Sequence, residues 1–153
     1  MPKSDKKMPI KKVRAVIYDV KNGQVYFLIL HRILRWRGWE ILKETLEKNE
    51  TPLLALKRGI KEETKIKNFK IISKIPFSEK WEAIGKKFEI VAAYLVLADK
   101  NQKISLKQRV VEHDDYQWVD KKTALKKLTW PKTKALIKSL KISELKKLAK
   151  SNT

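Results

Sequence analysis

Residues 51–64, TPLLALKRGIKEET, constrain the fold more than any other segment of the chain. Thr51 can cap the free amides of a helix start, and Pro52 fits the first helical position, where its missing N–H is no loss. Leu53, Leu56 and Ile60 recur at helical spacing and predict a buried stripe. Arg58 and Glu62 are four residues apart and share a face. Glu63 is four residues from Gly59, so position 59 lies on the side of the acidic pair. A helix of this kind buries one side and presents carboxylates beside it. Gly59 inside it costs roughly 1 kcal/mol relative to Ala.

The flanking segments read as strands. KVRAVIYDV (12–20) and QVYFLILHR (24–32) are rich in β-formers and are joined through Asn22-Gly23, a strong hairpin signal. ILRWRG (33–38) is a loop, and a short strand at 39–42 leads toward the helix. NFKIISKIPFSEKW (68–81) and KFEIVAAYLVLAD (87–99) form a second strand pair around Gly85. A polar loop at 100–110 precedes a strand at 115–120. Asp120 then caps a helix through about Leu128, and one or two Lys-faced helices follow from Pro131. Strands and helices in this order predict a mixed α/β domain. Residues 1–10 are expected to be a basic disordered arm, and 11–150 a single domain.

The chain has 153 residues, no cysteine and a formal net charge of +20. Disulfides, thiolate metal sites and a Cys nucleophile are therefore excluded. No apolar run is long enough for a membrane span, and no signal-peptide pattern is visible, so the default expectation is a cytoplasmic protein without a membrane partner. The positive charge will attract polyanions, nucleotide polyphosphates and RNA among them. The lysines are scattered over nearly every segment, with no RNA-recognition signature. No Ser-His-Asp arrangement or Gly-rich phosphate loop is present.

Glu50, Arg58, Ile60, Glu62, Glu63 and Ile66 stand in the order and spacing of the Nudix box. That pattern runs Gly, five residues, Glu, seven residues, then Arg-Glu-aliphatic-x-Glu-Glu-x-Gly-aliphatic. Trp39, Lys43 and Glu47 resemble its lead-in, in which Leu42 replaces a Pro. The chain departs from the box at Glu44 and Lys65, where the family has Gly, and at Gly59, where it has Glu. Residues 112–120, EHDDYQWVD, are similar to a segment of the bis(5′-nucleosyl)-tetraphosphatase branch through Glu112, His113, Tyr116 and Trp118.

The resemblance implies a Nudix-type α/β/α sandwich with a mixed sheet. It also implies a Mg²⁺-dependent pyrophosphohydrolase (Mn²⁺ being the alternative ion) acting on a dinucleoside polyphosphate or another nucleoside-diphosphate derivative. Glu62, Glu63 and Glu50 are the implied metal residues, Arg58 orients the acidic cluster, and Glu112 is an accessory carboxylate. Lys43 occupies the family's Lys position and is the leading phosphate binder, with Lys86 and Lys87 as further candidates. Trp81 either stacks on a nucleobase or packs in the core. His113 either contacts substrate or lies solvated at a strand edge. Arg32, Arg35 and Arg37 either grip phosphate or sit in a solvated loop. Gly59 leaves two readings open. Either a ligand or base has been lost, or a carboxylate from elsewhere, such as Glu44, Glu47 or Glu112, takes its place. A second class of function is accordingly a Nudix-fold protein that binds RNA or a ribonucleoprotein without hydrolysis, and a third is removal of pyrophosphate from RNA 5′ ends.

Overall fold

Asn22 and Gly23 adopt the left-handed conformation, at φ 52° and 75°, and close a two-residue turn between β1 (Ile10–Lys21) and β2 (Gln24–Arg32). Positive φ at both turn residues is what a tight hairpin with the native strand twist requires. The structure, a computed structural model, describes residues 8–153. Residues 1–7 of the expected basic arm lie outside it.

β1 is the spine of the sheet. Its C-terminal part pairs antiparallel with β2, over Tyr18–Lys21, and its N-terminal part pairs antiparallel with β4 (Leu42–Thr45), over Lys12–Ala15. Along its other edge it runs parallel to β7 (Lys86–Leu97). β3 (Gly38–Glu40) and β8 (His113–Val119) pair with β2, while β5 (Lys70–Ile75) and β6 (Glu79–Ala83) pair with β7. The result is a mixed eight-stranded sheet with a path β3-β2-β1-β7-β5.

Successive side chains of β1 point to opposite faces, and each face has its own core. Val16 and Tyr18 pack with Ala124, Leu136, Ile137, Leu145 and Ala149 of α2 (Lys121–Lys127), α3 (Pro131–Ser139) and α4 (Ile142–Ser151). Val13, Ala15 and Ile17 pack with Ala55, Leu56 and Ile60 of α1 (Pro52–Thr64) on the other face. This is the expected α/β/α sandwich. No helix among the described residues is long and apolar enough to cross a membrane.

Three expectations change in detail. The segment 68–81 is two strands, because Pro76 has no N–H to donate to a ladder and interrupts pairing with β7. The short strand before the box is also two. The chain leaves β2 after Glu40, turns at the buried Ile41 and joins β1 at Leu42. Leu53 does not belong to the buried stripe of α1. It lies 39% exposed in the first turn, and burial begins at Ala55 and Leu56, where the helix meets the sheet.

Candidate active site

Thr51 caps α1 by accepting from the Leu54 amide at 3.2 Å, with Pro52 in the first turn. At the other end Lys65 adopts the left-handed conformation, at φ 62°, that box sequences reserve for Gly. Its N–H closes the helix on the Lys61 carbonyl, and its ammonium donates to the Glu62 carbonyl at 2.6 Å. The backbone bend of the box therefore persists without its glycine.

This helix places Arg58 at the centre of an acidic group. Arg58 Nε and Nη2 grip both oxygens of Glu50 at 2.8 and 2.9 Å, and Nη2 also donates to the Thr45 carbonyl at 2.7 Å. Nη1 faces Glu62 at 3.1 Å, Glu44 at 3.3 Å and Glu47 at 3.7 Å. One guanidinium thus serves four carboxylates. Its hydrogen bond holds Glu50 at about 2, and the Glu47 amide adds to the effect.

Behind this group lies a buried one. Glu63 is 2% exposed, and its Oε1 has no hydrogen-bond partner. Burial, then the adjacent Glu44 carboxyl, push Glu63 well above the usual carboxylate range. His113 Nδ1 lies 3.9 Å from Glu63, and His113 Nε2 is hydrogen-bonded to the fully buried Glu40 at 2.9 Å. Burial alone would raise Glu40. The His113 bond and the charges of Lys43, Arg14 and Arg32 outweigh it and hold the carboxyl well below its ordinary value. Arg32 Nη1 bridges Glu40 at 3.1 Å and Glu112 at 3.3 Å. His113 is therefore buried in an ion network rather than solvated at a strand edge.

On the sheet face that carries α2–α4, but to the side of those helices, opens a cleft of about 960 Å³. Lys12, Arg14, Arg32, Arg35, Lys43 and Lys86 bring positive charge to it, against Glu79 and Glu82. Its aromatic walls are two pairs. Trp81 stacks on Phe88 at 5.3 Å between centroids, and Trp36 meets Trp130 edge-on at 5.2 Å. Lys43 Nζ sits 5.1 Å from the Trp81 ring. Burial, reinforced by Arg14, Arg32 and Lys12 and opposed by Glu40, lowers Lys43 to about 8. Burial is thus the main cause, and the anionic Glu40 is the largest single charge acting on Lys43.

The structure brings Glu50, Arg58 and Glu62 into direct contact, with Glu63 beside Glu44 and Glu112 joined to the same region through Arg32. Lys43, Trp81 and Lys86 line the cleft. Neither Lys87 nor His113 is among its lining residues. Of the loop arginines, Arg32 and Arg35 line the cleft and Arg37 does not. Sequence reasoning missed Glu40, Arg14, Lys12, Trp36 and Trp130. The available signal was charge placed inside apolar strands: Arg14 is 1% exposed and Glu40 0%.

The donor set suits a divalent cation. It consists of carboxylate oxygens, as a hard ion prefers, in excess of the guanidinium they share, and the orphaned Glu63 Oε1 adds an unused acceptor. Among the described residues no three carboxylate or imidazole groups already converge as a coordination shell. Arg58 instead draws most of these carboxylates toward itself.

A mixed sheet between helical layers, with this strand-loop-helix at one edge, defines a Nudix-type fold. The chain belongs to the Nudix family: the NUDIX domain model matches residues 8–140. Among solved structures, it is similar to an Ap4A hydrolase of C. elegans in a binary complex. That match has 22% identity and a TM-score of 0.73, covering 84% of this chain and 93% of that one. The dihydroneopterin triphosphate pyrophosphohydrolase of E. coli is 18% identical with a TM-score of 0.68, over 90% of this chain and 99% of that one. The NUDIX domain of Shewanella oneidensis NrtR, complexed with ADP ribose, is 13% identical with a TM-score of 0.67, over 95% and 93%. No curated protein matches the chain in sequence.

Proposed function

We propose that this Nudix protein is a divalent-cation-dependent hydrolase of phosphoric anhydride bonds, acting on a dinucleoside polyphosphate or a related nucleoside-diphosphate derivative. The observation that carries the reading is the cationic, aromatic cleft joined through β4 to the carboxylates around Arg58: Thr45 lines the cleft, and its carbonyl accepts from Arg58 at 2.7 Å. Phosphates would find Lys43, Lys12 and Lys86 there, and a nucleobase would find the Trp81 or the Trp36–Trp130 wall. The similar structures include an Ap4A hydrolase, a dihydroneopterin triphosphate pyrophosphohydrolase and a NUDIX domain complexed with ADP ribose, which supports the choice.

Glu62 and Glu63 would hold the cation, with Mg²⁺ the first expectation and Mn²⁺ the second. When bound, that cation supplies charge neutralisation and a water activated for in-line attack. Glu50 fixes Arg58, and Arg58 keeps the acidic side chains together while the site is free of substrate. Glu112 and Arg32 link the carboxylates to the cleft. Trp81 orients Lys43 beneath the phosphates. A second reading rests on the +20 charge: the same cleft would take the 5′-polyphosphate end of an RNA.

Hydrolysis of a panel containing diadenosine tetraphosphate, ADP-ribose and 5′-triphosphate RNA, with Mg²⁺ or Mn²⁺, tests both readings. Turnover on a nucleotide that disappears in Glu62→Gln/Glu63→Gln is the expected result. Turnover on RNA alone would favour the second reading. No turnover on any member, from folded protein, would sink both.

A further inference from the structure

Two of the three positions at which the chain departs from the Nudix box touch each other. Gly59 faces β4 from α1, and a Cβ built on it would lie 2.7 Å from Glu44 Cβ and 2.8 Å from Glu44 Cγ. The Cβ is fixed by the strand backbone and cannot swing aside, so residue 44 already fills the space that a side chain at 59 would take. The Glu44 carboxyl lies against the same place, with Oε1 3.1 Å from that Cβ. Its Oε2 accepts from the Thr45 amide at 3.0 Å and faces Arg58 at 3.3 Å.

Two further observations give this contact a chemical meaning. Glu63, one helical turn beyond Gly59, has a buried oxygen without a partner. Arg58, gripped by both oxygens of Glu50, is one positive charge shared among four carboxylates and leaves the group net negative. An extra carboxylate set beside an unsatisfied buried one is unfavourable by itself, and a cation between them removes the conflict.

We infer that Glu44 supplies from β4 the carboxylate that position 59 lacks, so that Glu44, Glu62 and Glu63 form the oxygen-donor set for the divalent cation. The two departures are then one exchange of Gly and Glu across a strand–helix contact. This inference rests on the cation-dependent reading proposed above.

The test measures Mn²⁺ binding to the full chain by electron paramagnetic resonance, together with urea unfolding midpoints. The proteins are the unmodified chain, Glu44→Gln, Gly59→Glu and Glu44→Gly/Gly59→Glu. Glu44→Gln keeps the side-chain shape and should weaken Mn²⁺ binding by roughly tenfold or more, because ligand charge sets hard-cation affinity. Gly59→Glu alone should lower the urea midpoint. The double exchange should recover both the midpoint and Mn²⁺ binding. Unchanged Mn²⁺ affinity in Glu44→Gln would overturn the role of Glu44 and leave the cation-dependent reading standing. A Gly59→Glu protein as stable as the original would overturn the steric exchange. Absence of Mn²⁺ binding in the unmodified chain would overturn the cation-dependent reading and this inference with it.

Discussion

Replacing Arg58 with Met keeps a long apolar stem and removes the charge on which the box carboxylates converge. Arg58 makes a two-point bond to Glu50, one bond to the Thr45 carbonyl and one to Glu62, with Glu44 and Glu47 at longer range. Its side chain is 19% exposed, and those of Glu50 and Glu44 are 13% and 16% exposed. Breaking a fully buried pair costs about 3–5 kcal/mol, whereas an exposed pair contributes about 0–1 kcal/mol. Discounting for solvent at this degree of exposure gives about 2–3 kcal/mol for Arg58→Met at neutral pH and low salt. Arg58→Lys should recover only a minor part, because one ammonium cannot reproduce the planar two-point grip. Urea unfolding of the three proteins measures the difference directly. Repeating it with millimolar Mg²⁺ should narrow the gap, since a cation can take over part of the neutralisation. A loss below about 1 kcal/mol, the range of a solvated surface pair, would show that the cluster is not organised by Arg58.

Trp81→Ala should weaken nucleotide binding by about 1–3 kcal/mol, about five- to 160-fold in KM or Kd, with less effect on kcat. Trp81→Phe should keep most of the affinity, and steady-state kinetics separates the two. Tyr18 donates its hydroxyl to the Leu145 carbonyl at 2.9 Å, and burial, with Asp19 adding, raises it from 10.0 to about 12. A raised acid contributes stability below its unfolded value that is lost as pH climbs through the folded one. The original chain should therefore lose stability between about pH 10 and pH 12 through this group. Tyr18→Phe should cost about 1 kcal/mol at neutral pH and show a shallower alkaline limb. Urea midpoints measured from pH 8 to pH 12 check both effects.

The elements that were legible in sequence are those specified by neighbours in the chain. Asn22-Gly23 closes the first hairpin, Thr51-Pro52 starts α1, and Asp120 caps α2 through the Thr123 amide at 2.8 Å. Such signals need only a few residues to act. The break at Pro76 was equally local, but the apolar content on both sides masked it. The site was legible only where the Nudix pattern marked it. Glu40 shows why the remainder was not. Its partners are Arg14, Arg32, Lys43 and His113, drawn from four different strands, and a lone Glu between Trp39 and Ile41 carries no sign of them. The cleft has the same character, because Trp130 comes to Trp36 from the far end of the domain.

β4 joins the two halves of the site through its alternation. Lys43 pairs with Arg14, and Glu44 with Val13, along β1. Lys43 and Thr45 consequently face the cleft, while Glu44 turns to α1. A slip of one residue in that pairing would put a carboxylate among the cleft's cations and a lysine against Gly59. The ladder from Lys12–Thr45 to Ala15–Leu42 holds the register, and the burial of Leu42 against the α1 side reinforces it. Cleft-facing charge and box-facing charge are thus set one residue apart on a strand of four residues. Viewed along the sequence, Glu44 and Gly59 are two separate departures fifteen residues apart. Across the strand–helix contact they are complementary: the larger residue stands on the strand, and the helix gives up its side chain where that residue lies.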